Sequence, residues 1–586
     1  MKKTFFTLMI LLLMLLSSCG GTKVTLQEGK KDPANHENKW TILIYACGDR
    51  NGKTSDMIES LTKEKYPENI NVAVQTGGSH DWNLKGINGE YAQRYLMQKG
   101  SAYLKDQKQG SSMGHYQTLT DFITWGMEEL KADNYMLFIV GDGTGLEVCP
   151  DELYGGDSLD VEEIYYALSM APDTIDAICF DAPHMASLEL ASSLPNYAKY
   201  MIASQEKFNG FNYEAILNCI KDYPMAQVSE VCREICKTYA SESEQNSAGE
   251  LAQLSLIDLS QITYLNQLFD ALALKLDLAT HAMSDTATLI RLMEVAQRCT
   301  DSDMVDLGSL AMSIEDYCGE SSYNVVDAIG KTVINNVKGS LRNEISGISV
   351  CYPVSDTLPA SYLKTTISDH YKQFLKKILP AFKEVDSHIT ASAEDTDSYE
   401  EYSQTQFSVS TQTTNDVFSA IIDSGLSVLK KATVKRYFTK DGKTLSCGET
   451  AELDCFWDEG RYQLMLTSKM PTLKGEYLDV RFVSKDSGYS IYCADILLNE
   501  QDASIYMAYS PQDDKYIYIG IWDGNGFVND NNSVKITPVY KDRATGQKAF
   551  GKTISAKPSD SIKTQKLSSD IALEFEAEDI YRKIHP

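Results

Sequence analysis

The chain has 586 residues, 43% of them hydrophobic, with 82 Asp plus Glu against 54 Lys plus Arg and a formal net charge of −28. That length predicts about two to four domains, and the ordinary apolar fraction excludes wholesale disorder. The acidic excess, with no Lys/Arg-rich stretch to offset it, excludes nucleic acid as a partner, and the confinement of the one long apolar run to the N-terminus excludes a multi-pass membrane protein.

Met1, Lys2 and Lys3 form a short basic start, and Thr4 to Leu16 is an apolar run. The run is too short to span a bilayer comfortably and reads as an export signal. Leu16, Ser17, Ser18, Cys19 and Gly20 follow. They resemble a bacterial lipobox, in which the cysteine thiol is acylated. The expectation is a signal peptide over 1–18, a lipid anchor at Cys19 and a polar tether over 19–37. The protein would then be an exported, membrane-anchored bacterial lipoprotein facing the periplasm or the cell surface.

Trp40 to Cys47, Ile70 to Gln75, Tyr135 to Val140, Ile175 to Phe180 and Tyr200 to Ser204 are apolar, β-branched runs that predict buried strands. Ala92 to Met97 and Ala102 to Leu104 predict an antiparallel extension. Between the strands, His115 to Leu130, Leu159 to Ser169 and Met185 to Leu194 carry helical periodicity. Alternation of buried strands with helices predicts an α/β fold around a mostly parallel sheet, with its site at the carboxyl ends of the strands. That points to the loops at 48–52, 141–157, 181–185 and 204–213. Residues 214–385 read as mostly helical, including Ser229 to Tyr239, with one more strand at Gly347 to Pro353 and a last helix from Tyr371 to Phe382. Residues 386–410 are acidic and rich in Ser and Thr, which marks a linker. From 411 to 586, alternating strands separated by turns such as Asp441-Gly442 and Asp523 to Gly526 predict a β-sandwich-like domain.

Some motifs invite a reading and fail it. Gly141, Gly143 and Gly145 follow a strand, but the full G-x-G-x-x-G and an immediate helix are missing, so no dinucleotide site is expected. Asp523 to Asn531 begins like a calcium loop, but Val534 stands at the twelfth position, where an acid is needed. A turn between strands is the better reading. The 13 cysteines include no paired CxxC motifs, so no metal site is expected. Cys47, Cys179 and Cys351 lie in apolar runs and read as buried thiols.

Trp40 to Tyr45 with Asp49 resembles the opening of the clostripain family of cysteine peptidases (peptidase family C11, in the caspase-like clan). The resemblance continues through Asn71 to Gln75, Gln93 to Tyr95, Leu119 to Trp125 and Tyr135 to Gly143. It extends to Phe180-Asp181-Ala182 with Met185, Ala203 to Glu206, Gly210 to Tyr213 and Gly347 to Pro353. It spans about 38–385 and implies a caspase-like fold. The C-terminal region loosely resembles the β-rich extension of lipoprotein members.

The resemblance also fixes where chemistry should be. It implies a His-Gly after the strand at 135–140 and a Phe-Asp-Ala-Cys motif, whose His and Cys form the catalytic dyad. Here those places hold Asp142-Gly143 and Pro183. Thiol attack needs a thiolate and a partner for it, so the substitutions predict an inactive relative that binds peptide or protein. Two alternatives stand beside this. One is an active cysteine peptidase with Arg/Lys preference and a relocated nucleophile, for which His184, Cys149 and Cys47 are the candidates. The other is a structural or adhesive surface lipoprotein acting through its β domain. Asp142 and Asp181, at the ends of neighbouring strands, invite a paired-carboxylate reading, but solvated loop aspartates, or a cation site, are the better one. By resemblance, Asp181 lines a pocket for basic side chains, or it caps the helix near His184. The expected partner is a peptide or protein, with basic side chains if the pocket implied at Asp181 persists; calcium enters by resemblance only, and no other cofactor is expected.

Overall fold

The computed structural model describes residues 39–379 apart from 99, 246, 281–288, 291, 294 and 354–357. Beyond these it describes the residues from 409 onward, apart from 415–416, 423–428, 450–454, 459–460, 468, 487–488, 511, 529–532, 558–561, 567–571, 580–582 and 585–586. Cys19, the tether and nearly all of the 386–410 segment lie outside the described residues.

Each apolar run of the first part becomes a strand. In chain order these are β1 (Trp40–Cys47), β2 (Ile70–Gly77), β3 (Tyr91–Gln98), β4 (Ser101–Gln109) and β5 (Asn134–Val140). A short hairpin follows, β6 (Glu147–Asp151) and β7 (Asp157–Asp160), then β8 (Ile175–Asp181), β9 (Ala198–Ala203), β10 (Gln253–Asp258), β11 (Met304–Asp306), β12 (Val333–Lys338) and β13 (Ser349–Cys351). Nine of them make one sheet in the order β12-β10-β9-β8-β5-β1-β2-β3-β4. The five central strands β2, β1, β5, β8 and β9 are parallel. The flanks on both sides are antiparallel. Every residue of β1 and of β8 is buried. Helices cover both faces of this stretch, which is why its strands are apolar without alternation. One apolar core, including Leu43, Phe122 and Leu137, fills one face; a second, including Ile42, Phe138 and Val231, fills the other.

Several boundaries differ from expectation. The helix expected from Met185 begins only at Leu188, where the Ser187 hydroxyl accepts from the Leu190 N–H. Ala182 to Ser187 remain non-helical, so Asp181 does not cap that helix. Leu159 lies within β7; the helix Val161–Ser169 starts behind the Asp160–Glu163 capping box. The region expected to be mostly helical supplies β10 and β12 to the main sheet. The strand at Gly347–Pro353 is only Ser349–Cys351, and it pairs with β11 outside that sheet.

From 409 onward the described residues are rich in strands, arranged in a four-stranded, an 11-stranded and a three-stranded sheet. Within the largest, Tyr489–Leu498, Gln501–Ser510 and Lys515–Trp522 pair antiparallel in succession. This part is seated on the first. Leu251 and Leu341 share one buried cluster with Ile491, Tyr506, Ile519 and Trp522.

Candidate functional site

The four loops named from the sequence converge at the carboxyl ends of β1, β5, β8 and β9. The Gly141 N–H donates to the Asp181 carbonyl, and the His184 N–H donates to the Glu206 carbonyl. Between these loops lies a cleft of about 330 Å³ whose walls include Asp142, Gly143, Pro183, His184, Lys207 and Asp301. Trp522 and Gly524 of the strand-rich part close one side of it.

Backbone strain gathers here. Arg50, Asn51, Cys149, His184 and Asp301 all have left-handed φ, between 49° and 66°. Each such non-glycine position costs about 1–2 kcal/mol, and such residues collect where a site over-determines the chain.

Asp181 is fully engaged. Arg50 Nη1 donates to Oδ1 at 3.0 Å and to the Asp181 carbonyl at 3.2 Å. The Tyr213 hydroxyl donates to Oδ2 at 2.9 Å, and the Phe211 N–H donates to Oδ2 at 3.3 Å. The side chains of Arg50 and Asp181 are only 6% and 4% exposed. Burial first, then the Asp181 charge, pushes the Tyr213 phenol well up, so it remains a donor. The basic group on Asp181 in this structure is therefore the chain's own arginine. Asp142 is different. It is exposed at the cleft, where surrounding protein and then Asp523 raise its carboxyl above the ordinary range against the pull of Arg50. The two aspartates do not form a carboxylate pair: one is bonded to Arg50, and the charges acting on the other are Arg50 and Asp523.

The candidate thiols lie beneath the cleft. Cys47 Sγ donates to the Pro150 carbonyl at 3.5 Å, and Cys149 Sγ donates to the Val140 carbonyl at 3.7 Å. The two thiols also contact one another; that hydrogen bond, then burial, pushes the Cys47 thiol well up. Both cysteines are buried. His184 Nδ1 is bonded to the Gln205 carbonyl at 2.9 Å, which makes Nδ1 the protonated nitrogen. Burial pushes its pKa down to about 4, helped by Lys207 and Arg342. The structure thus brings Cys47 to Cys149 but joins neither to His184.

Three residues that the sequence did not single out shape the site. Arg50 fills the Asp181 subsite. Lys207 lies 3.1 Å from Asp301 and over the rings of Tyr506 and Trp522, at 4.9 and 4.8 Å. Asp301 also binds Arg481 and the Tyr506 hydroxyl. Their partners are up to 475 residues away, and local spacing carries no such signal. Among the described residues no group of three or more His, Cys, Asp or Glu could hold a metal ion.

The sequence profile of the clostripain family matches residues 44–537. The chain belongs to the clostripain family. The match runs beyond the α/β part into the strand-rich part, and the fold is the family's caspase-like one. Among solved clostripain-family structures, a secreted C11 cysteine protease from Bacteroides thetaiotaomicron, in complex with an irreversible peptide inhibitor, is 17% identical. It has a TM-score of 0.43 and covers 57% of this chain and 98% of its own. An inactive zymogen C11 protease from Parabacteroides distasonis is 18% identical, with a TM-score of 0.42, covering 60% of this chain and 97% of its own. No curated protein sequence matches the chain.

Proposed function

We propose that this clostripain-family chain is a lipid-anchored pseudopeptidase that binds polypeptide in its strand-end cleft and does not cleave it. The observation that carries this reading is the pairing of the candidate groups. Catalysis by a cysteine peptidase needs an accessible thiol within hydrogen-bond reach of an imidazole. Here Asp142 and Pro183 line the cleft where the family motifs call for His and Cys. The thiols beneath it are spent on carbonyls, and His184 is held neutral by burial. What the cleft offers instead is a carboxylate, Asp142, beside Trp522 and Asp303. That combination suits a Lys or Arg side chain on an extended segment.

The test uses purified residues 20–586 with labelled Lys- and Arg-containing peptides, with and without calcium. No turnover is expected. Binding is expected, weakened about tenfold by Asp142→Asn, the size of one exposed charge-assisted contact. Turnover that disappears in Cys149→Ala or Cys47→Ala would overturn the reading in favour of a relocated nucleophile. Absence of binding would favour a structural role through the strand-rich domain. Anchoring at Cys19 is tested on the full chain by intact mass and membrane fractionation. Cys19→Ala should lose the lipid mass and leave the membrane fraction.

A further inference from the structure

Two buried sulfur atoms meet beneath the cleft. Cys47 is the last residue of β1, and the pairing of Ala46 with Val140 sets Gly141, the first residue past β5, beside it. Neighbouring strands lie about 4.8 Å apart. The 141–157 loop then folds back, and the Cys149 N–H donates to the Asp142 carbonyl at 3.0 Å. Cys149 therefore packs on Gly141, one strand over from Cys47, and the two thiols are in hydrogen-bond contact. Glycines make the room for them. A Cβ on Gly78 would stand 2.4 Å from Cys47 Sγ, and one on Gly141 would stand 3.1 Å from Cys149 Sγ. Cys149 holds a left-handed φ of 63° in this place. A non-glycine residue keeps such an angle only where surrounding contacts impose it.

The surroundings do not make a nucleophile of Cys47. Its Sγ donates to the Pro150 carbonyl, and the charges of Asp151 and Asp142 act to keep it protonated. What the arrangement suits is a bond between the two sulfurs. Cys232 and Cys236 also lie near each other, but four apart on one helix. Their Cβ atoms are then about 5–6 Å apart, farther than a disulfide allows. A bond from Cys47 to Cys149 instead closes a ring of roughly 100 residues, long enough to restrict the unfolded chain strongly.

We propose that Cys47 and Cys149 are a disulfide site, and that the bond clamps the loop carrying Asp142 to the end of β1. The oxidant is an external disulfide. One cysteine thiolate attacks it, forming a mixed disulfide and displacing one thiol. The second cysteine then attacks the first cysteine's sulfur, forming the Cys47 Sγ–Cys149 Sγ bond and displacing the other thiol. The external S–S bond is broken and reduced, the two cysteines are oxidised, and their two protons leave with the two released thiols. Both sulfurs are buried, so the exchange takes place when the loop opens locally. The site depends neither on polypeptide binding nor on the lipid anchor, and a bonded pair leaves neither sulfur free to attack a peptide.

For the test, reduced and purified residues 20–586 are equilibrated with reduced and oxidised glutathione in urea below the unfolding midpoint. The exchange is quenched in acid, remaining thiols are alkylated in full denaturant, and the digested chain is mapped by mass. The expected product is a peptide pair joined through Cys47 and Cys149, lighter by two hydrogens than the separate peptides. Recovery of both cysteines as alkylated thiols, or joined to other partners, overturns the proposal. In the joined chain, hydrogen exchange of the amides at 141–151 should slow at least about fivefold, and dithiothreitol should restore the original rate. Cys149→Ser should show no such response to glutathione. A joined pair with unchanged exchange at 141–151 overturns the clamp. The map is made on the unaltered chain and decides the matter even if Cys149→Ser does not fold. Neither readout involves peptide binding, turnover or lipid, so failure here is separable from failure of the proposed function.

Discussion

Glu189 is a buried acid whose titration falls near neutrality. It sits in the helix Leu188–Ser193, accepts from the Cys351 N–H at 2.9 Å, and burial pushes its pKa up from 4.5 to about 7. The folded chain therefore holds this proton more tightly than the unfolded chain. The resulting stability is fully present below pH 4.5 and is lost as pH rises through about 7. Glu189→Gln should flatten the fall in urea midpoint between about pH 5 and pH 8, a change on the order of 2 kcal/mol. A slope identical to the parent's would show that Glu189 does not titrate in this range. Nearby, Glu206 and Arg342 form an ion pair with both side chains 1% exposed, and Glu206 also accepts from the Thr300 N–H. Arg342→Ala leaves that carboxylate buried without its main partner and should cost about 3–5 kcal/mol by chemical denaturation. The Glu206→Gln/Arg342→Met double variant should recover part of the loss. At this scale the sequence was informative about identity and silent about pairing. Asp142, Asp181, Pro183 and His184 were found through the family motifs, which fall at or just after the ends of β5 and β8, and those strands can be read from apolar runs. That Asp181 belongs to Arg50 could not be read, because contact between 50 and 181 depends on how β1 and β8 are ordered in the sheet.

Capping side chains set the helix starts, which the sequence reading placed early: the helices expected from Leu159 and Met185 begin at Val161 and Leu188. Asp160 is the clearest case. It accepts from the Glu163 N–H at 2.8 Å, with Glu163 reaching back, and it also receives Lys364 at 2.6 Å. Asp160→Ala should cost about 1–2 kcal/mol, and Asp160→Asn, which keeps the cap but not the charge, less than half of that. Equal losses in thermal melts would mean that Lys364 rather than the cap is what matters. The five parallel strands were readable because burial on both faces writes an unbroken apolar run. β10 and β12 were not, since Gln253, Ser255, Asn335 and Asn336 interrupt their pattern. The structure explains those polar residues. Gln253 Nε2 donates to Ser255 Oγ and Asn336 Oδ1, at 2.6 and 3.0 Å, so a hydrogen-bonded network replaces apolar packing on that side of the sheet.

At the scale of the whole molecule, Asp301 is the pin between the two halves. It binds Lys207 of the α/β part and Arg481 and Tyr506 of the strand-rich part. Burial pushes its carboxyl up, but Lys207 and Arg481 outweigh this and hold it below the ordinary 3.8. Its contribution to docking is therefore complete above that value and is lost as pH falls through the lower, folded one. Asp301→Ala should weaken docking by about 2 kcal/mol at neutral pH. Small-angle scattering should then show a larger radius of gyration, and calorimetry two separated unfolding steps; a single step with unchanged dimensions would refute the pin. Both halves were visible in the sequence as a change from strand–helix alternation to strands and turns. Their docking was not, because it is made by single residues scattered over both. The rim of the main sheet has a consequence of a different kind. β4 carries Lys105, Asp106 and Lys108 and is exposed along nearly its whole length, while β12, at the other rim, meets β10 through a bulge between Leu256 and Ile257. Charge at one margin and a broken ladder at the other deny a neighbouring copy the straight template that intermolecular strand addition requires. A chain with so apolar a sheet can thus be crowded to high local density without polymerising through its rims.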